Sequence, residues 1–374
     1  MTSTRTLSLS LSALALLAAA PALAQDGRSL DLTIDGVGLS IGDSRGVTGL
    51  RLNFRDTRLE RVNGMNVTVW TPVGDPGGTV NGIALGLPAT GAGRINGLAT
   101  AVFGVAASER IAGIGVAPLG IGAGGELSGV MIGGLGLGSG GTVSGIAVGG
   151  LGVGSGGGLR GLTVGGLGVG SGGTVEGISL GGLAVAAAGD LRWVTVGGLG
   201  AGAGGTVKGL TVGGLGVGAG GQVTGITVAG AGVGAGGRLT GITIAGLGVG
   251  AGGEVTGLTI AGAAAGAPRI RGVTIGGLAA GGSDVAGLTI GGLAAGGQDV
   301  SGVTLAGAYV RVKDGTLRGG AVSAFNHVRG TQRGLTIGLL NYAEELHGLQ
   351  VGVLNYAGNR PKGLRWLPVV NWGS

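Results

Sequence analysis

Gly145 to Arg160 reads GIAVGGLGVGSGGGLR, and how its apolar residues are spaced decides the fold. The large ones are Ile146 and Val148, then Leu151 and Val153, then Leu159. Within each pair the spacing is two, as on one face of a strand. The step from Val148 to Leu151 is three and reverses that parity, so one continuous strand cannot keep all of them on one side. A chain that turns at Gly149-Gly150 can, because glycine permits the backbone angles of a tight corner. A second corner falls in Gly154-Ser155-Gly156-Gly157. The unit therefore reads as three short strand-like sides of about five residues, with Ile146, Val148, Leu151, Val153 and Leu159 pointing to a common axis.

The unit recurs. Aligned on the residue that precedes the apolar triplet, copies start at Gly129, Gly145, Gly161, Gly177, Trp193, Gly209, Gly225, Gly241 and Gly257, a period of 16. The period becomes 15 at Gly272, Gly287 and Gly302, then drifts between 14 and 17 to Gly334, Gly348 and Gly363. Weaker copies begin at Gly49, Gly64, Gly82, Gly97 and Gly113. Self-similarity counts about 21 copies. The expected fold is all-β, a narrow, three-sided parallel β-solenoid of 14–17-residue coils with caps at both ends, stacked at the strand spacing of about 4.8 Å. A single coil cannot offset the cost of ordering its glycines, so each needs neighbours. The expected divisions are a signal peptide over 1–24, a charged N-terminal cap and first irregular coil over 25–63, the Gly-rich solenoid over 64–318, Asn/aromatic coils over 319–358, and a C-terminal cap over 359–374. Pro361 and Pro368 suit that last cap, since proline blocks further ladder growth.

Composition excludes the rivals. The 374 residues include 99 Gly, 8 Pro and 3% aromatics. Collagen would need Gly at every third position with abundant Pro, and disorder goes with low hydropathy, whereas mean hydropathy is +0.55. Transmembrane helices would lose about 1 kcal/mol for each Gly relative to Ala. An elastic coil would not hold a fixed register. An outer-membrane β-barrel remains as an alternative that fits export and short strands, although it wants unbroken alternation and aromatic girdles.

The first residues, MTSTRTLSLSLSALALLAAAPALAQ, carry one base (Arg5), an apolar run and Ala22-Leu23-Ala24 before Gln25. That pattern predicts a secretory signal peptide and hence a periplasmic, outer-membrane or cell-surface location. There is no Cys, so neither a disulfide framework nor a lipidated junction is expected. Residues 26–61 carry six acids and six bases, while 62–310 carry only 16 charged residues. Sparse, balanced charge of this kind is not the clustered Lys/Arg with interleaved aromatics of a nucleic-acid binder.

No chemistry is evident. G-x-G-x-x-G patterns arise here from composition, without a βαβ context. Calcium rolls need an Asp in every turn, and none lies between Asp75 and Asp190. Glu344-Glu345-Leu346-His347 has no metal-ligand spacing and no second cluster. No catalytic, cofactor-binding or metal residue is proposed, and no enzyme. Two ranks read as outward-facing. One is a row of threonines, Thr163 and then Thr195, Thr211, Thr227, Thr243, Thr259, Thr274, Thr289 and Thr304. Regular hydroxyls at that rise would form a binding face for ice or glycan, the pattern of ice-binding solenoids; the plainer reading is that a β-branch suits an exposed strand. The other is a bare rank, Gly168, Gly200, Gly216, Gly232 and Gly248, which lets another sheet approach closely and points to self-association or an envelope component as partner.

Near the C-terminus GLTIGLLNYAEELHGLQVGVLNYAGN sets Asn341-Tyr342 and Asn355-Tyr356 in register, flanked by Asn326-His327 and Asn371-Trp372. Stacked amides and rings of this kind stabilise coils. Gly334 to Asn371 resembles bacterial cell-envelope surface-repeat proteins, whose units read G-(L/V)-Q-(I/V)-G-(L/V)-(L/I)-N-x-A; the Gly-rich middle departs from that pattern with Gly in place of Asn. The resemblance implies an envelope or surface location and transfers no active residue. The sequence thus reads as an exported, non-enzymatic structural or interaction rod.

Overall fold

The computed structural model describes residues 29–72, 74 and 77–374; the expected signal peptide lies outside them. The fold is the expected all-β parallel β-solenoid, with about 19 turns of roughly 16 residues where the sequence suggests 21. It divides into two compact units, one ending at Gly182 and the other running from Leu183 to Ser374.

From Gly120 to Ala306 each turn contributes one strand of seven or eight residues and a second of three or four, while nearer both ends a turn is a single strand or is built from longer ones such as Phe325–Leu346. In the first unit Val143–Gly149 and Gly152–Ser155 form one turn, and Leu159–Gly165 and Gly168–Ser171 the next. Pairing is parallel and in register, Val143 with Leu159 and Gly145 with Gly161. The second unit repeats this, Val207 with Val223 and Thr211 with Thr227. Coils of 15 residues lose one residue at the corner after the short strand, where Pro268 follows Ala267 and leads into Arg269–Gly276. Growth stops at antiparallel strands: Ser29–Ile34 lies against Val37–Gly42 in the first unit, and Trp366–Trp372 against Leu349–Ala357 in the second.

The inward-facing set differs from expectation on one side of the coil. Val153 and Leu159 are buried, but Ile146 is 41% and Leu151 51% exposed, and Val148 is half-buried. Their place inside is taken by Val143, Ala147 and Gly149. Parity therefore runs unbroken from Val143 to Leu159 along odd positions, with Gly145, Leu151 and Gly157 turned out at three corners. Gly145 and its counterparts, such as Gly225, have φ of +103° and +115°. A Cβ on Gly225 would lie 2.3 Å from the Gly209 carbonyl oxygen, so a side chain at that corner is strained. The physical reason for the inversion is width. An interior this narrow fills with Ala, Thr, Ser and Gly between Val and Leu, and leaves the bulkier aliphatics outside.

The innermost column changes character along the chain. In the first unit it reads Ser40, Arg51, Asn66, Ala84, Ala99, Gly115, Met131, Ala147, Thr163 and Ser179. Its charged start is a buried ion cluster. The Arg51 guanidinium donates to Asp43 at 2.9 Å, to Asn66 at 2.8 Å and to Asp56. Asp56 also accepts from Asn53 and Thr68. Such a cluster holds together only because nearly every charge is paired and hydrogen-bonded.

Candidate functional site

The threonine row is the first candidate the structure relocates. Thr195, Thr211, Thr227, Thr243, Thr259, Thr274, Thr289 and Thr304 are each at most 1% exposed, and Thr163 in the first unit is 2%. The expected outward binding face is therefore an interior column, and it has no hydroxyls to offer ice or glycan. The Oγ1 atoms of Thr227, Thr259, Thr274 and Thr289 have no hydrogen-bond partner in the protein. Thr suits this column by volume, since its two branches fill the space between the Val and Leu columns without the extra methylene of Ile.

The C-terminal turns build a second polar interior. Asn326 donates to Asn341 and Asn341 to Asn355, each at 2.7 Å. Each also caps a backbone carbonyl at 3.0 Å, Ile337 and Val351 respectively. Outside this ladder runs a chain of rings. Tyr309 and Phe325 have centroids 5.4 Å apart, Phe325 and His327 5.3 Å, His327 and Tyr342 5.1 Å, and Tyr342 and Tyr356 4.7 Å. Trp366 of the capping strand continues it at 4.8 Å from Tyr356. The register read from Asn341-Tyr342 and Asn355-Tyr356 thus holds. The sequence reading missed Tyr309 and Phe325, although their 16-residue spacing equals the coil period.

His327 sits where this ring chain meets two cations. Burial pushes its pKa below the ordinary histidine value, and Arg311 and Arg329 push the same way while Glu344 opposes them. Its Nδ1 is 2.8 Å from the Tyr309 hydroxyl. The other histidine, His347, has its Nδ1 2.9 Å from the Ser374 carbonyl oxygen. Glu345 accepts from Thr331 at 2.9 Å, so the Glu344–His347 stretch is occupied with contacts between neighbouring coils. Among the described residues no three His, Asp or Glu side chains gather as metal ligands would.

Two exterior columns repeat closely from turn to turn. At the corner between the two strands of a turn stands a ridge: Leu119, Leu135, Leu151 and Leu167 in the first unit, and Leu199, Leu215, Leu247, Leu278 and Leu293 in the second, all about half exposed or more. Their backbones are hydrogen-bonded from turn to turn, Leu215 N to Leu199 O at 2.6 Å. Beside the second unit's ridge lies a strip without side chains, where the short strands carry Gly200 and Gly202, Gly216 and Gly218, Gly232 and Gly234, Gly248 and Gly250. At Gly202, Gly218, Gly234 and Gly250 an added Cβ would meet nothing within 4 Å. None of these four has a left-handed φ. Neither backbone nor packing in the chain requires glycine there, unlike the corner glycines. The far edge of the strip forms a shallow groove lined by Gly218, Ala219, Gly220, Gly234, Ala235 and their counterparts in adjacent turns.

Trp193 stands apart. It replaces the corner glycine of its turn, adopts φ +83° and is 68% exposed. A bulky residue in that region is strained, and an exposed indole recovers little of the cost by burial.

No family model, no curated protein and no solved structure matches this chain.

Proposed function

We propose that the chain is an exported, non-enzymatic repeat protein, a structural or interaction element of the bacterial cell envelope or surface. The observation that carries this reading is the repetition of its ridge and of the small-residue strip beside it. An active site brings unlike polar groups together in a cleft, whereas here the ridge and the strip beside it repeat uncharged small or aliphatic residues over many turns, leucine broken by Ala231 and Ala263 at the ridge and glycine, then alanine, beside it. A surface of that kind suits extended contact with something equally regular. Export is supported by the basic, apolar and small-residue order of residues 1–24, and the surface by the resemblance of Gly334 to Asn371 to envelope repeats. The β-barrel alternative is set aside, because the strands pair in parallel with the next turn whereas membrane barrels are antiparallel. The test is fractionation of the producing cell with N-terminal sequencing of the mature chain. A chain beginning at Gln25 in the envelope or surface fraction is expected; a cytoplasmic chain retaining Met1 overturns the proposal.

A further inference from the structure

We infer that the ridge and the bare strip of the second unit are the two halves of a self-complementary interface, and that their occupant is a second copy of this chain.

The leucine ridge runs along one edge of the face built by the short strands, and the groove runs along the other edge. Rotation by 180° about a line parallel to the stack exchanges the two edges. Each ridge then lies in the other copy's groove, which is the isologous arrangement a closed dimer needs. The rotation preserves the rise per turn, so ridge residues spaced one per coil, leucine except at Ala231 and Ala263, meet small residues spaced one per coil. A partner without this repeat would match the ridge at one turn and lose register at the next.

Three further observations fit this occupant. From Leu199 to Gly204 the face reads LGAGAG, and the same positions of the next three turns read LGVGAG from Leu215, AGVGAG from Ala231 and LGVGAG from Leu247. None of these four segments carries a charge, so two such faces meet with no like-charge repulsion. The four open glycines are unexplained by the fold of one chain and are explained by a second backbone approaching them. The area is sufficient: the small-residue face, in which Ala264, Ala279 and Ala294 follow the four glycine turns, covers seven turns from Leu199 to Leu293, about 34 Å, and six residues of each turn span about 20 Å, on the order of 700 Å² per copy against about 800 Å² per partner in a standard interface. The face ends where Tyr309 and Arg311 take the positions of Ala294 and Gly296 in the next turn, which bounds the contact.

The inference concerns the purified chain and stands apart from its cellular location, so the two fail separately. Sedimentation of the full chain is expected to show a dimer. Gly218→Gln/Gly234→Gln fills the groove at positions with open space, and Leu215→Ser/Leu247→Ser lowers the ridge. Both are expected to keep the β-sheet circular dichroism spectrum and to weaken dimerisation by about a hundred-fold, as loss of central contacts does. Thr240→Gln, exposed on another side of the coil, is expected to leave the dimer intact. A wild-type chain that sediments as a monomer at micromolar concentration overturns the proposal. So do folded groove and ridge variants that remain dimeric, and so does a wild-type monomer that floats with phosphatidylcholine vesicles, which would give the face to lipid.

Discussion

Met131 stacks in register on Gly115 inside the first unit, and a methyl group added to Gly115 would come within 2.7 Å of the Met131 sulfur and 3.0 Å of Ile121 Cδ1. The largest side chain of that column segment and the smallest are neighbours because the column has a fixed volume to share.

Gly115→Ala is therefore expected to cost about 1–3 kcal/mol by overpacking. The Gly115→Ala/Met131→Ala pair is expected to be less destabilised than the sum of its parts, with the coupling read from a double-mutant cycle of urea melts. Additive effects would mean that the two side chains do not share one space.

The interior position of the threonines sets an order between two neighbouring substitutions. Thr211→Asp buries an unpaired carboxylate and is expected to cost several kcal/mol, while Val212→Asp, half-buried on the outer side, is expected to be mild. Thr227→Val removes a hydroxyl that has no partner and is expected to raise stability by about 1 kcal/mol. Thermal melts of the three variants decide the orientation.

At the N-terminal end, Arg51→Met leaves Asp56 buried without its cation and Asp43 with only the partly exposed Arg58, and is expected to cost about 3–5 kcal/mol. Replacing the three together by apolar residues of similar volume is expected to recover most of that loss. Guanidinium melts of the single and triple variants provide the comparison.

Trp193→Gly relieves a left-handed backbone at little cost in burial. A gain of about 1 kcal/mol is expected, from a left-handed penalty of about 1–2 kcal/mol. An unchanged or lower melting temperature would show that the indole makes contacts worth more than the strain.

His327 gives a pH dependence with a definite sign. Its folded pKa lies below the unfolded value, so below about pH 6.5 the unfolded chain binds the proton first. Its contribution is complete above that pH and is lost progressively as the pH falls toward the folded pKa. His327→Gln is expected to flatten the melting temperature between pH 7 and pH 5 relative to wild type.

Much of the fold was legible because the coil is short and repeated so often. The period, a corner within one residue of Gly150, another near Gly156, and the in-register Asn341 and Asn355 can all be read from spacing alone, whereas the corner at Gly145 cannot. Which face points inward could not be read the same way, because both alternating sets of residues are apolar. Ile146 and Val148 compete with Ala147 and Gly149, and hydropathy favours the larger pair. The deciding quantity is the width of the interior, which no single coil states. The parity of 16 held the clue: an even period lets one alternation continue through every 16-residue turn, and the 15-residue turns drop their residue at a corner. The ridge was hidden for the same reason, since Leu151 reads as core. The open space above Gly218 needed coordinates, because sequence does not separate a glycine demanded by a corner from one left bare.

The in-register pairing of near-identical coils has a further consequence for how such a chain changes over time. Duplicating or excising one segment such as Gly209–Thr224 leaves every remaining coil seated against a neighbour like the one it had, so stability scales with repeat number. Length is thus adjustable in whole steps by recombination between copies, whereas a gain or loss of a single residue inside a strand would turn the following side chains inside out.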